Sequence, residues 1–218
     1  MQVPVAGLDR RQSRAEEMAN SMSHGAGFAA ALVGAPFLVI QAQQRGQAGF
    51  LVGTIVFAVA MVFLYLSSTL YHAMPAGRAK RVFRLIDHAA IFLLIAGTYT
   101  PFTLGVLSGG WGWSLLAIVW SLAILGIALK AFDRASNPFF STGLYLLMGW
   151  VVVLALDPLL ARMPPAGLYL LLAGGLSYTA GVAFFATDSR LRYGHFIWHL
   201  FVLMGTVCHY FAVLWYAA

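Results

Sequence analysis

Seven stretches of this chain run almost unbroken in apolar residues, at positions 25–41, 49–71, 85–107, 111–131, 139–160, 167–187 and 195–216. A helix rises about 1.5 Å per residue, so about 20 apolar residues cover the hydrocarbon core of a bilayer. The pattern predicts an all-α integral membrane protein, a seven-transmembrane helix bundle with connections of only a few residues. The first stretch is short and the fifth closes at Asp157-Pro158, so these two have the least sharply defined ends. Ahead of the first, Ser13-Arg14-Ala15-Glu16 has the form of a capping box. It predicts a short helix within a tail at 1–24, ahead of a membrane domain at 25–218. That helix either lies along the membrane surface or runs straight into the first span.

Composition sharpens this picture. Of the 218 residues 61% are hydrophobic and only 9% charged, against about 25% charged in soluble domains. The basic residues are distributed unevenly. Arg10, Arg11, Arg14, Arg78, Lys80, Arg81, Arg84, Lys130, Arg134, Arg190 and Arg192 fall on one side of the expected bundle, and only Arg45 and Arg162 on the other. By the positive-inside rule the N-terminus is cytoplasmic and the C-terminus lies across the membrane. The net charge of +6 then reflects topology and attraction to anionic headgroups, and no nucleic acid partner is implied. The first twenty residues lack an apolar h-region, so no cleavable signal peptide is expected. The single cysteine, Cys208, excludes an intrachain disulfide and reads as a buried packing residue.

Against this background a few polar residues stand out. His195 and His199 are four apart, on one helical face at the mouth of the last span. His72 ends the second span with Ser68 one turn before it, and Asp87 begins the third. With the alternation of spans, all of these fall at one membrane face. Ionisable groups at membrane depth are costly and mark function more often than packing. Three imidazoles are a zinc-type donor set that leaves a fourth position open, the pattern of catalytic sites. Each residue also has a plainer reading. The HxxxH pair alone is a weak signal, His72 alone could cap its helix, and Asp87 alone could pair with Arg84 at a solvated rim. His88 is rotated by about 100° from Asp87 and is expected to bond a neighbouring helix instead. His209 is expected to meet a backbone carbonyl. His24 either lines the rim of the site or caps a helix end. Ser177 and Gly181 form a small-xxx-small pair that would bring the sixth span close to a neighbour.

Four stretches together make the chain recognisable: Glu17-Met18-Ala19-Asn20-Ser21-Met22-Ser23-His24-Gly25, Ser67-Ser68-Thr69-Leu70-Tyr71-His72, Leu85-Ile86-Asp87-His88 running on to Ala96-Gly97-Thr98-Tyr99-Thr100-Pro101, and Gly194-His195-Phe196-Ile197-Trp198-His199-Leu200-Phe201. In this order they resemble the hemolysin III family, the bacterial branch of the progestin and adiponectin receptor superfamily, itself related to alkaline ceramidases. Ser23 stands where family members often carry threonine. The resemblance implies a multi-pass protein of the bacterial inner membrane, with zinc held by His72, His195 and His199. Asp87 and Ser68 would then be its catalytic partners.

Three functions follow as expectations. The first is a zinc-dependent hydrolase of a lipid amide or ester, with a ceramide-like or fatty-acyl membrane lipid as substrate. The second is a pore-forming, cytolytic protein, as the hemolysin name suggests. The third is a membrane sensor with a structural zinc. The oligomeric state is not legible in the sequence.

Overall fold

Ser13 starts the first helix as its motif predicts. Its side chain accepts a hydrogen bond from the Glu16 backbone N–H, and the Glu16 carboxylate accepts one from the Ser13 N–H at 2.9 Å. In the computed structural model, which describes residues 12–132 and 138–218, this box opens one continuous helix, α1 (Arg14–Gln44). At 31 residues it is about 46 Å long, so the tail helix and the first span are a single element. Arg10, Arg11 and Arg134 lie outside the described residues.

The remaining elements are α2 (Ala48–Ala73), α3 (Arg78–Leu104), α4 (Gly110–Ala131), α5 (Pro138–Trp150), α6 (Leu156–Arg162), α7 (Pro165–Ala186) and α8 (Gly194–Tyr216). A tight 3-10 segment, Val151–Ala155, joins α5 to α6. Among the described residues there is no strand, and seven helical segments are long and apolar enough to cross a membrane, 140–162 counting as one.

Polarity is distributed as a bilayer requires. Leu32, Val33, Phe37 and Ile40 of α1 and Ile124 and Leu125 of α4 are exposed. Asn20, Ser23, His24, Ser68, His72, Asp87 and His199 are buried. Because lipid is as apolar as leucine, helix association rests on close packing and interior polar contacts rather than on escape from water. The α2–α3 seam shows this. A Cβ at Gly53 would stand 2.6 Å from the Pro101 Cα and 2.7 Å from the Thr100 carbonyl oxygen, so only glycine lets the two backbones meet there. The α7–α8 seam repeats it with the expected small pair: the Ser177 hydroxyl donates to the Phe201 carbonyl at 2.8 Å, and Gly181 abuts Phe201 and Trp198.

The fifth span departs from the single helix expected over 139–160. It breaks after Trp150 and restarts at Leu156, continuing to Arg162. Pro158 has no N–H to offer Leu154 and disfavours helical backbone before it, so the helix restarts with proline in its first turn, where that donor is not needed. Tyr99 of α3 repairs the break. Its hydroxyl donates to the Gly149 carbonyl at 2.8 Å and accepts from the Val152 N–H at 2.9 Å. Non-helical backbone at membrane depth persists only where the protein satisfies it in this way. Cys208 is half-buried rather than buried.

Candidate metal centre

The C-terminal end of α2 and the N-terminal ends of α1, α3 and α8 meet at one end of the bundle. There His72, His195 and His199 come together, with one donor nitrogen of each lying within 4.8 Å of the others. The ring centroids are 5.0 Å apart for His72–His195, 5.1 Å for His72–His199 and 4.7 Å for His195–His199. His72 and His199 are buried, and the His195 side chain is 11% exposed.

Hydrogen bonds fix the tautomer of each ring. His199 Nδ1 lies 3.2 Å from the Asn20 carbonyl oxygen, which only accepts, so Nδ1 carries the proton. The Ser23 hydroxyl donates to the same carbonyl at 2.8 Å and accepts from His199 Nδ1 at 3.0 Å. His72 Nδ1 donates to Glu17 Oε2 at 2.8 Å, and His195 Nδ1 donates to Asp188 Oδ2 at 2.9 Å. With Nδ1 occupied three times over, each ring presents the bare lone pair of Nε2. This is the carboxylate–histidine or carbonyl–histidine arrangement that orients metal ligands. His72 Nε2 is buried with no hydrogen-bond partner, a cost of about 1–3 kcal/mol for an unsatisfied group that a bound cation would remove. The donor set therefore fits a metal ion.

Glu17 does double duty: Oε2 takes the His72 proton while Oε1 sits 2.8 Å from Lys80 Nζ. Glu16 ties the ligand-bearing helix to α1 by accepting from the Tyr193 N–H at 2.8 Å. Tyr193, immediately before α8, has φ of 59°, a left-handed conformation uncommon outside glycine that sends the chain abruptly into the HxxxH turn.

A cavity of about 120 Å³ opens from the cluster into the bundle. Its head is polar, with Ser68, Asp87, His24, His195 and His199. Its body is apolar, with Leu94, Ile95, Val182 and Val202, and His209 lies toward its far end. The Ser68 hydroxyl lies 2.7 Å from His24 Nδ1 and shares this head with Asp87. His72 instead lines a separate cleft on the outer side. The three histidines thus form the partition between an interior apolar cavity and the end surface of the bundle.

Several residues sit differently from their sequence-based readings. Asp87 is buried and lines the same cavity as Ser68, not paired with Arg84 at a rim. His24 is no helix-end cap. It is 3% exposed and stacks on His199 with centroids 3.5 Å apart. His88 lines the same cavity as Asp87, and the bond to a neighbouring helix is made by its carbonyl, which accepts from the Tyr145 hydroxyl at 2.9 Å. His209 meets the expected carbonyl, that of Leu171, at 3.2 Å. Glu17, Asn20, Ser23 and Asp188, the groups that hold the three rings by hydrogen bonds, are absent from the sequence-based site. A signal exists for two of them: Glu17 and Asn20 recur with His24 at helical spacing in α1 and share one face.

Comparison with known proteins gives a consistent result. The family model described as haemolysin-III related matches residues 12–210. Hemolysin-3 of Bacillus cereus is 44% identical over 201 residues, covering 92% of this chain and 91% of that protein. The hemolysin-3 homolog of Bacillus subtilis is also 44% identical, covering 92% of this chain and 94% of that one. A more distant relative is the human monocyte to macrophage differentiation factor, 27% identical over 167 residues, covering 72% of this chain and 67% of its own. No solved structure matches.

Proposed function

We propose, from the premise that this chain belongs to the haemolysin-III related family and is a multi-pass integral membrane protein, that it is a zinc-dependent hydrolase of a lipid amide or ester. The observation that carries this reading is the convergence of one donor nitrogen each from His72, His195 and His199 beside the polar head of an apolar cavity lined by His195, His199, Asp87 and Ser68. His72, His195 and His199 would hold the ion. Bound zinc supplies Lewis acidity toward a carbonyl and acidifies water.

The remaining work falls to side chains of this protein. The apolar body of the cavity takes an acyl chain and excludes water, which orients the scissile group at the head. Asp87 accepts a proton at its carboxylate. Ser68 Oγ, which shares the cavity head with Asp87 and lies 2.7 Å from His24 Nδ1, would give that proton an onward route and offer a donor to developing negative charge on the substrate oxygen. His24 holds Ser68 in place from beneath the His199 ring.

The test is direct. Purified protein loaded with zinc should release free fatty acid from ceramide-like lipids or acyl esters, and His199→Ala should abolish release. Product formed equally by a verified metal-free variant would overturn the reading. If zinc is bound stoichiometrically, its removal lowers thermal stability, and no product appears from any acyl lipid, a structural zinc in a sensor is the better account. The name of the Bacillus cereus relative motivates one further control. Dye leakage from liposomes carrying this protein, but not from protein-free liposomes, would favour a cytolytic role.

A further inference from the structure

We infer that the cleft on the outer side of the histidine partition binds the phosphate-bearing headgroup of an anionic phospholipid, with one acyl chain lying along α1. This inference is independent of the hydrolase reading. The cleft lies between the start of α1 and the α2–α3 connection and is the large open cavity lined by His72.

Cations from two separate elements converge on it. Arg14 comes from α1, and Lys80, Arg81 and Arg84 come from the first two turns of α3. The acidic side chain in its wall is Glu17, which is already engaged by Lys80 and His72. Lys80 is held further by the Tyr71 ring, 4.9 Å from its centroid. Arg14, Arg81 and Arg84 are exposed and make no ion pair with an acidic side chain among the described residues. Three guanidinium groups facing one cleft, against a neutralised carboxylate, call for an anion. Arginine forks match phosphate oxygens bidentately.

The second observation identifies that anion as part of a lipid. Arg14, Met18 and Met22 recur every four residues and so form one stripe along α1. All three line the cleft, with Met18 59% and Met22 69% exposed. The stripe runs from a charge at the helix start to two flexible apolar side chains leading toward the membrane-spanning part of α1. A soluble phosphate would use only its charged end. A phospholipid uses both, and the methionine side chains adapt to an acyl chain. The bound headgroup would sit against Lys80 and Glu17, one hydrogen bond from the His72 ring, so its occupancy would be felt at the partition.

The experiment uses native mass spectrometry of the purified full-length protein in mixed micelles of phosphatidylglycerol and phosphatidylcholine. Phosphatidylglycerol should be retained over phosphatidylcholine by at least about fivefold, the preference that about 1 kcal/mol from a single basic side chain supplies. The triple variant Arg14→Gln, Arg81→Gln, Arg84→Gln should remove that preference. A triple variant of equal charge outside the cleft, Arg78→Gln, Arg190→Gln, Arg192→Gln, should keep it. Equal loss in both would mean diffuse surface charge and would overturn the site. Displacement of the lipid by millimolar inorganic phosphate would reassign the cleft to a soluble anion and overturn the lipid assignment. Should the cleft variant fail to fold, wild-type protein photolabelled with a diazirine-bearing phosphatidylglycerol decides the matter. Labelling within 14–22 supports the site, and labelling confined to other segments overturns it.

Discussion

Glu17 Oε2 lies 2.8 Å from His72 Nδ1, across 55 residues of chain, while the other oxygen of the same carboxylate holds Lys80. The bond does two things at once. It sets the tautomer that bares His72 Nε2, and it joins the start of α1 to the end of α2. Glu17→Gln keeps the size of the side chain but offers His72 a weaker, neutral acceptor. Removing such an outer partner typically costs about 10–100-fold in metal affinity. A competitive chelator titration of zinc on the purified variant should find a loss in that range. Unchanged affinity would mean that His72 needs no outer support.

Not all buried histidines should behave alike. His199→Ala removes a donor from the cluster and should eliminate stoichiometric zinc, as should His72→Ala. His209→Ala should leave zinc content intact, since that ring's Nε2 is spent on the Leu171 carbonyl in the far part of the cavity. Its effect should be on stability, by about 0.5–1.5 kcal/mol for the lost hydrogen bond, since the Leu171 carbonyl keeps its partner within α7. Elemental analysis together with thermal unfolding in detergent separates the two outcomes.

These contrasts mark what a linear reading can reach. The seven spans are legible because lipid demands long apolar runs, and the three clustered histidines because imidazoles at the ends of such runs are conspicuous. Asp188 is not, since a carboxylate just outside a helix is ordinary until a distant ring is seen against it. His24 falls at the edge of the expected first span, where capping competes with lining the site. Once α1 is one continuous helix from Arg14, that edge moves and His24 becomes interior. The break at 151–155 hides inside an unbroken apolar run, although Pro158 announces it.

Asp87 and the ligands should also separate in their effects. Asp87 shares the cavity with Ser68, but it is not among the three clustered donors. Asp87→Asn should therefore keep bound zinc while lowering fatty acid release, by about 10²–10⁴-fold if it is the proton acceptor. Zinc content and turnover measured on the same preparation provide the check. Full activity in the asparagine variant would remove Asp87 from the mechanism.

Tyr99→Phe tests the patched fifth span. Losing one hydroxyl orphans both the Gly149 carbonyl and the Val152 N–H. Each buried unsatisfied group costs about 1–3 kcal/mol, so the variant should unfold at lower temperature. Amide exchange should quicken at 151–155 more than in α2 or α8. Uniform protection would show that the 3-10 segment holds without Tyr99.

Helix contact through glycine makes the last prediction, with an internal control. At Gly53 an added Cβ meets the backbone of α3 itself, 2.6 Å from the Pro101 Cα, and backbone cannot rotate aside as a side chain would. Gly53→Val must push α2 from α3, and overpacking of this kind costs about 1–3 kcal/mol or more. Because α2 carries His72 in its last turn and α3 carries Asp87, the displacement should also loosen the metal centre. At Gly143 in α5, by contrast, an added Cβ would meet nothing within 4 Å. Gly143→Ala should therefore be neutral or stabilising by up to about 1 kcal/mol through helix propensity. Thermal unfolding and zinc affinity of both variants should diverge, with Gly53→Val losing in each and Gly143→Ala in neither. Matching behaviour would mean that the α2–α3 seam does not govern the site.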